Sequence, residues 1–319
     1  MSLPDFSYKQ AIVYFSSHEK SKLRFRADNL LIEDENGKVM LQHSCHRSFV
    51  LIIIGSISLT HSIIQKAKQF GFPIILLSYN LRPYSYFNNS AEGNFLLRRK
   101  QYENEDKDLF IAKALVKQKV ANQIALLQKL RYRSKKVNQQ IKKLQAINLN
   151  SVFDDAELRG KEGTASKLFF PQYFNNMDWI RREPRTKRDI PNLLLDIGYT
   201  YLFYFMEALA GIYGFDPFCG VYHKFFYQRK SLICDLVEPF RCIIDQRLRK
   251  AYNLNQIDKK DFFVKNDQYV LTYKKQGKYT RLFLKDILQY KEEMFLWVQS
   301  YYRWFMKDRP MNQFPKFEI

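Results

Sequence analysis

Val50-Leu51-Ile52-Ile53-Ile54-Gly55 is an apolar run with no polar interruption, closed by a glycine. A strand with one wet face alternates apolar and polar residues; a strand with no polar face has to be covered on both sides. Upstream, Ile12-Val13-Tyr14-Phe15 reads as a short strand. Downstream, Pro73-Ile74-Ile75-Leu76-Leu77 reads as a second buried one. Between them, Asn29 to Asp34 and Lys38 to Leu41 flank Asn36-Gly37, a strong hairpin signal because both central turn residues accept positive φ. Ile57-Ser58-Leu59 alternates. Thr60 stands at the N-cap position of a short helix over His61 to Phe70, and Gly71 ends it.

Residues 1–90 are therefore expected to form a small β-sheet or sandwich domain. A turn-rich linker over Tyr79 to Asn94, with Asn88-Asn89-Ser90 at its centre, leads into residues 91–319. From Phe95 the apolar period becomes helical. Ile111, Leu115, Lys119, Asn122, Leu126 and Leu130 fall on one helix face in a segment without Gly or Pro. A long apolar helix runs from Asn192 to Tyr213, closed by Gly214, and its run Tyr199 to Phe215 carries Glu207, which marks it as a buried core helix. Ser231 to Tyr252 and Asp286 to Met306 read as further helices. Gln268 to Tyr273 and Tyr279 to Leu282 around Gln276-Gly277 read as a small hairpin, and Lys307 to Ile319 as a loose tail. The class is α+β: a small N-terminal β-domain followed by a larger, mostly α-helical domain.

At 46% hydrophobic and 26% charged residues, this 319-residue chain has the make-up of a globular protein with sizeable cores. Its net charge of +20 is the anomaly and predicts attraction for polyanions. Phe49 to Ile54 is the longest apolar run, too short to span a bilayer, so no membrane partner is expected. Cys45, Cys219, Cys234 and Cys242 form no Cys-x-x-Cys pair; free thiols in a reducing cytosol are the simplest reading. Lys129, Arg131, Arg133, Lys135, Lys136, Lys142 and Lys143 follow one another without an acid, and Arg181, Arg182, Arg185, Lys187 and Arg188 form a second cluster. Both read as nucleic-acid-facing surface.

Glu162, His223, Asp235 and Glu238 are the candidate site: three carboxylates and an imidazole, a possible divalent-metal set in a basic chain. Asp235 and Glu238 are three apart, which on a helix puts them on one face. Pro239 allows two arrangements: a helix beginning near Asp235, or one beginning at Ser231 and kinking at Pro239. Glu162 is expected to open a helix over Thr164 to Phe174, and His223 to follow a loop from Phe215. N-terminal capping would equally account for the acids, and a lone His is more often structural than a ligand.

The local wording of these segments resembles the spacer-integrating nuclease of CRISPR adaptation. Arg159-Gly160-Lys161-Glu162-Gly163 is similar to that family's Arg-Gly-x-Glu-Gly motif, and Gly220-Val221-Tyr222-His223 to its Gly-x-x-His motif. The long stretch Arg229-Lys230-Ser231-Leu232-Ile233-Cys234-Asp235-Leu236-Val237-Glu238-Pro239-Phe240-Arg241 is similar to its last acidic motif. Leu96 to Tyr102 and Val116 to Gln123 resemble the start of its helical domain, and the N-terminal wording resembles versions from type V systems. Arg182 to Asn192 departs from the family pattern, being longer and more basic.

The resemblance implies a cytoplasmic prokaryotic enzyme that inserts short DNA fragments into a CRISPR array. The fragment's 3′-hydroxyl attacks a phosphodiester at the edge of a repeat. Glu162, His223 and Glu238 would hold Mg²⁺ or Mn²⁺, with Asp235 as a neighbouring or alternative ligand. Lys224 and Arg229 could clamp a phosphate. Double-stranded DNA, as fragment and repeat, would be the substrate, bound by a homodimer paired with a small second adaptation protein. A repair or branched-DNA nuclease needs the same metal cluster, and a non-enzymatic nucleic-acid-binding protein needs none of it; these are the alternatives.

Overall fold

The computed structural model describes residues 1–16, 21–87, 91, 93–103, 107–179, 181–224 and 226–319. The Asn88-Asn89-Ser90 turn signal lies outside them. A short helix α1 (Leu3–Ser7) precedes seven strands: β1 (Gln10–Phe15), β2 (Lys22–Arg26), β3 (Asn29–Glu33), β4 (Val39–Ser44), β5 (Ser48–Ile54), β6 (Ile74–Leu77) and β7 (Pro83–Phe87), with helix α2 (His61–Phe70) between β5 and β6.

They form two sheets. One is mixed, in the order β1-β5-β6-β7, with β5 parallel to both β1 and β6 and β7 antiparallel on the edge. The other is the antiparallel meander β2-β3-β4. Leu51 and Ile53 of β5 pack toward the meander with Leu23, Leu30, Ile32, Ile63 and Phe72. Val50, Ile52 and Ile54 face the other way, into the core shared with the helices. This two-sided cover is why every residue of β5 is buried. The Asn36-Gly37 hairpin forms as expected, with Gly37 at φ 78°. Gly71 and Gly214 end their helices in the left-handed region. Thr60 holds the N-cap position of α2, but its hydroxyl lies 2.8 Å from Ser62 Oγ and caps nothing.

Pro83–Phe87 corrects the linker reading. It pairs with β6 as an edge strand, where a proline at the first position costs no ladder bond. The helical body holds α3 (Phe95–Glu103), α4 (Asp108–Gln128), α5 (Lys135–Gln145), α6 (Asp155–Tyr173), α7 (Ile190–Tyr213), α8 (Ser231–Leu236), α9 (Arg241–Asn253), β8 (Phe262–Lys265), β9 (Gln268–Leu271), α10 (Gln276–Gln289) and α11 (Lys291–Met306). The hairpin is β8–β9, one strand earlier than the sequence suggested. Its turn is Asn266-Asp267, both at positive φ, and Gly277 lies inside α10. Asp286 belongs to α10, which stops at Gln289 before α11 starts.

Helix α7 is long and apolar enough to cross a membrane, and it is the core of this body: Asp189 caps it, and most of its length is buried among the other helices. The two halves share one core. Phe6 sits between Phe49 (5.0 Å, edge-on) and Phe295 (4.5 Å, stacked), and Phe49 meets Phe205 at 5.3 Å. The C-terminal segment is no loose tail. Phe314 and Phe317 are buried, and Asn122 of α4 donates to the Phe317 carbonyl (3.1 Å) and accepts from the Ile319 amide (3.0 Å). A segment without periodicity is thus held by α4 side chains that satisfy its backbone groups.

Candidate active site

A cleft of about 1,000 Å³ is lined by α4, α6, α7, the loop after Gly214, the turn that follows α8, and α9, with the loop before α7, the β6–β7 connection and β9 at its sides. Helix α8 begins at Ser231 and ends at Leu236. Glu238-Pro239-Phe240 is a single 3-10 turn, and α9 starts at Arg241. The kinked arrangement is therefore the one adopted, because Pro239 has no N–H to continue the α-helical ladder. The kink also turns the two acids to different partners, Asp235 to the loop before α8 and Glu238 to Lys119 and Arg241.

Asp235 is fully buried and turned to the loop. One carboxylate oxygen accepts from the Val221 and Tyr222 amides (2.7 and 3.0 Å). The other accepts from the His223 amide (2.9 Å) and lies 2.6 Å from His223 Nδ1. All its acceptor directions are used, so Asp235 positions His223. With Nδ1–H donating to Asp235, the Nε2 lone pair of His223 is left for another partner. Gly220 is required by close approach: a Cβ there would lie 2.6 Å from Ser231 Cβ.

Glu238 and Glu162 stand on either side of Lys119. Glu162 lies in the middle of α6 rather than at the start of a helix, since Gly160 and Gly163 do not break it. Lys119 Nζ bonds Glu162 Oε1 and lies 2.7 Å from Glu238 Oε2. The outer oxygens are held separately: Tyr222 OH donates to Glu162 Oε2 (2.5 Å), and Arg241 Nε lies 2.9 Å from Glu238 Oε1. Burial works against all three charges. The two carboxylates outweigh it for Lys119, whose pKa is raised; the Lys119 ammonium outweighs it for Glu162, and Arg241 with Lys119 for Glu238, and both acids are lowered. Among the described residues, no three of His, Cys, Asp and Glu gather at ligand spacing. Two carboxylates around one cation, beside an imidazole of fixed tautomer, nevertheless form a donor set that fits a divalent ion.

Sequence reading left Lys119 as one member of an apolar stripe and gave Tyr222 and Arg241 no role. A lysine at a core-facing helix position was the available signal.

Of the basic residues, Arg182, Arg185, Lys187 and Arg229 line this cleft. Arg182 is tied to Asp196 (2.7 Å) and Asn192 (2.8 Å), and its guanidinium lies over the Tyr199 ring. Arg229 reaches the Lys224 carbonyl, and Lys224 lies 3.2 Å from Asp155. Arg181 and Arg188 flank Glu183 on the surface. Lys129 bonds the Ile319 carbonyl and, with Arg131, lines a separate cleft of about 710 Å³; Arg133 is exposed beside it.

Asp245, also in the main cleft, is buried and accepts from Tyr199 OH at 2.5 Å. Burial pushes its pKa up to about 6, against that bond and the charges of Arg241 and Arg182. The folded state thus keeps a proton that the unfolded chain releases near pH 4. Stability from this group is full below that pH, falls as pH rises to about 6, and stays low above it. Asp245→Asn should remove this loss. Its stability relative to the parent should rise by about 2–3 kcal/mol between pH 4 and pH 7, at about 1.4 kcal/mol per pKa unit. Denaturant melts at the two pH values check it; parallel profiles would refute it.

A carboxylate–imidazole centre at the floor of a cleft lined by arginine and lysine is the make-up of an enzyme directed at polyanions. Residues 14–285 match the family of CRISPR associated protein Cas1. The chain is 31% identical over 242 residues to a CRISPR-associated endonuclease Cas1 of Thermodesulfovibrio yellowstonii, covering 72% of this chain and 76% of that protein. Its fold is that of a casposase bound to integration product (TM-score 0.79, 19% identity, 97% of this chain and 94% of that one) and of part of a Cas6-RT-Cas1–Cas2 complex (TM-score 0.80, 19% identity, 97% of this chain and 36% of that one). The chain belongs to the Cas1 family of CRISPR-associated endonucleases. The α+β class and the enzyme class read from the sequence agree with this.

Proposed function

We propose that this chain joins DNA: the 3′-hydroxyl of a short duplex fragment attacks a phosphodiester at the edge of a CRISPR repeat. A P–O bond to the fragment's 3′ oxygen forms and the P–O3′ bond of the repeat strand breaks, and the leaving oxygen takes up the proton lost by the attacking hydroxyl. The observation that carries the reading is the 2.6 Å Asp235–His223 contact beside Glu162 and Glu238, which holds the imidazole by Nδ1 where His223 lines a basic cleft. Glu162, Glu238 and His223 would hold Mg²⁺ or Mn²⁺, which would supply Lewis-acid activation of the phosphoryl group. Asp235 fixes the His223 tautomer, while Arg182, Arg185, Lys187 and Arg229 attract and seat the sugar-phosphate backbone. Lys129, Arg131, Arg133, Arg181, Arg188 and Lys224 would extend that surface.

The assembly that fits is a homodimer with a small second adaptation protein, supported by the likeness to a chain of a Cas1–Cas2 complex. The bacterial relative supports a place in a prokaryotic cytoplasm.

The test incubates the protein with Mn²⁺, a repeat-containing plasmid and a short duplex with free 3′ ends. Covalent joining of the duplex to the plasmid is expected. Cleavage without joining would overturn the reading in favour of a plain nuclease.

A further inference from the structure

Lys119 is out of place by composition. It sits on the face of α4 that also carries Ile111, Leu115, Asn122 and Leu126, all buried. Its side chain is only 11% exposed, and a lysine there loses most of its hydration. What compensates it is specific. Glu162 and Glu238 each have one oxygen pinned from outside, by Tyr222 and Arg241, and each turns its other oxygen toward the same ammonium. Glu238 Oε2 is buried, with Lys119 Nζ 2.7 Å away. The two inner oxygens thus define one cation position, and a divalent ion bridging the glutamates would need the same oxygens.

We propose that Lys119 is a resident counter-ion: its ammonium holds Glu162 and Glu238 together in the metal-free protein and swings into the cleft when a divalent cation takes their inner oxygens. This rests on the reading of those glutamates as metal ligands. The four-carbon stem allows the movement, and Lys119 already lines the 1,000 Å³ cleft into which it would turn. Lys119 is then a positioning residue. Without it, two buried carboxylates would repel; with it, they stay ionised and aligned, and metal binding has to displace a tethered competitor.

The test measures Mn²⁺ binding by calorimetry in the full chain. Lys119→Met, which keeps the stem and removes the charge, should bind Mn²⁺ at least about ten-fold more tightly than the parent, because the competitor is gone and an uncompensated carboxylate pair gains most from a cation. It should also melt earlier in chelator and gain more from added Mn²⁺. A lysine that merely supports the fold would leave the affinity unchanged or weaken it, and either result would overturn the inference. A second measurement uses the parent protein, so it stands even if the variant fails to fold. Acetylation of Lys119, read by peptide mass spectrometry, should speed up several-fold when Mn²⁺ replaces chelator; an unchanged rate would refute displacement. Glu162→Gln and Glu238→Gln separate the two levels. If they bind Mn²⁺ as tightly as the parent, the metal reading itself fails. If they lose binding while Lys119→Met leaves affinity unmoved, only the role of Lys119 fails.

Discussion

Asp235→Ala should lower the stability of this protein by about 2–6 kcal/mol, since it leaves three backbone N–H groups without an acceptor, two of them buried, at about 1–3 kcal/mol for each buried one. The groups are the amides of Val221, Tyr222 and His223, which converge on one carboxylate from a loop with no ladder of its own. Val221 and Tyr222 are buried, so water does not readily replace the lost bonds. The loop is also closed by the Gly220–Ser231 approach, which leaves little room to rearrange. Asp235→Asn is the sharper test. The amide keeps the shape but turns an NH₂ group toward N–H donors, so at most one side of the loop stays satisfied. A cost between those of the parent and Asp235→Ala is expected. The His223 tautomer should also change, visible as exchanged ring-nitrogen shifts in NMR, because the acceptor at Nδ1 is lost or replaced by a donor. A chemical-denaturation midpoint unchanged in Asp235→Ala would show that the carboxylate does not organise this loop.

The sequence made some of this arrangement readable and concealed the rest for physical reasons. Strand β5 was legible because burial on both faces demands an uninterrupted apolar run. Gly71 and Gly214 were legible because the left-handed region selects glycine where a helix stops. The β8–β9 turn was missed because Asn266-Asp267 reaches positive φ without glycine, whereas Gln276-Gly277, which carries the usual turn signal, sits in a helix. Glu162 was placed at a helix start because Gly160 and Gly163 weaken a helix by about 1 kcal/mol each. Tertiary burial of Leu158, Ala165 and Phe169 on the same helix overrides that preference. The separation of Asp235 from Glu238 depends on how Pro239 is accommodated, and two solutions fit the same residues. The convergence of α4, α6 and the Glu238 turn on one ammonium is a matter of packing between segments distant in the sequence. No local pattern in the sequence contains it; similarity of the three motifs to a family suggested the site, and Lys119 escaped even that.

His223→Ala should abolish strand joining, by on the order of 10²–10³-fold or more if the imidazole acts on the reacting phosphate group, while DNA affinity stays within about three-fold of the parent. The two effects separate because they draw on different residues. Affinity for a polyanion comes from many phosphate contacts and the release of counterions, and those contacts belong to the arginines and lysines around the cleft, which the substitution leaves in place. The choice of His223 matters. Truncating Glu238, with 3% of its side chain exposed, would leave the buried Lys119 with Glu162 alone and Arg241 without its carboxylate, and a loss of activity there could follow from damage to the fold. The His223 side chain is 30% exposed, and its backbone amide keeps its bond to Asp235 whatever the side chain. Its removal should therefore shift the melting temperature little. Binding is read by fluorescence anisotropy with a short duplex at two salt concentrations, where parent and variant should show the same salt slope. Joining is read on gels with the repeat plasmid. Equal losses of binding and joining would place His223 among the DNA-holding residues rather than at the chemistry. Retained joining would remove the imidazole from the reaction and, with it, the reason for Asp235 to hold that ring in one tautomer.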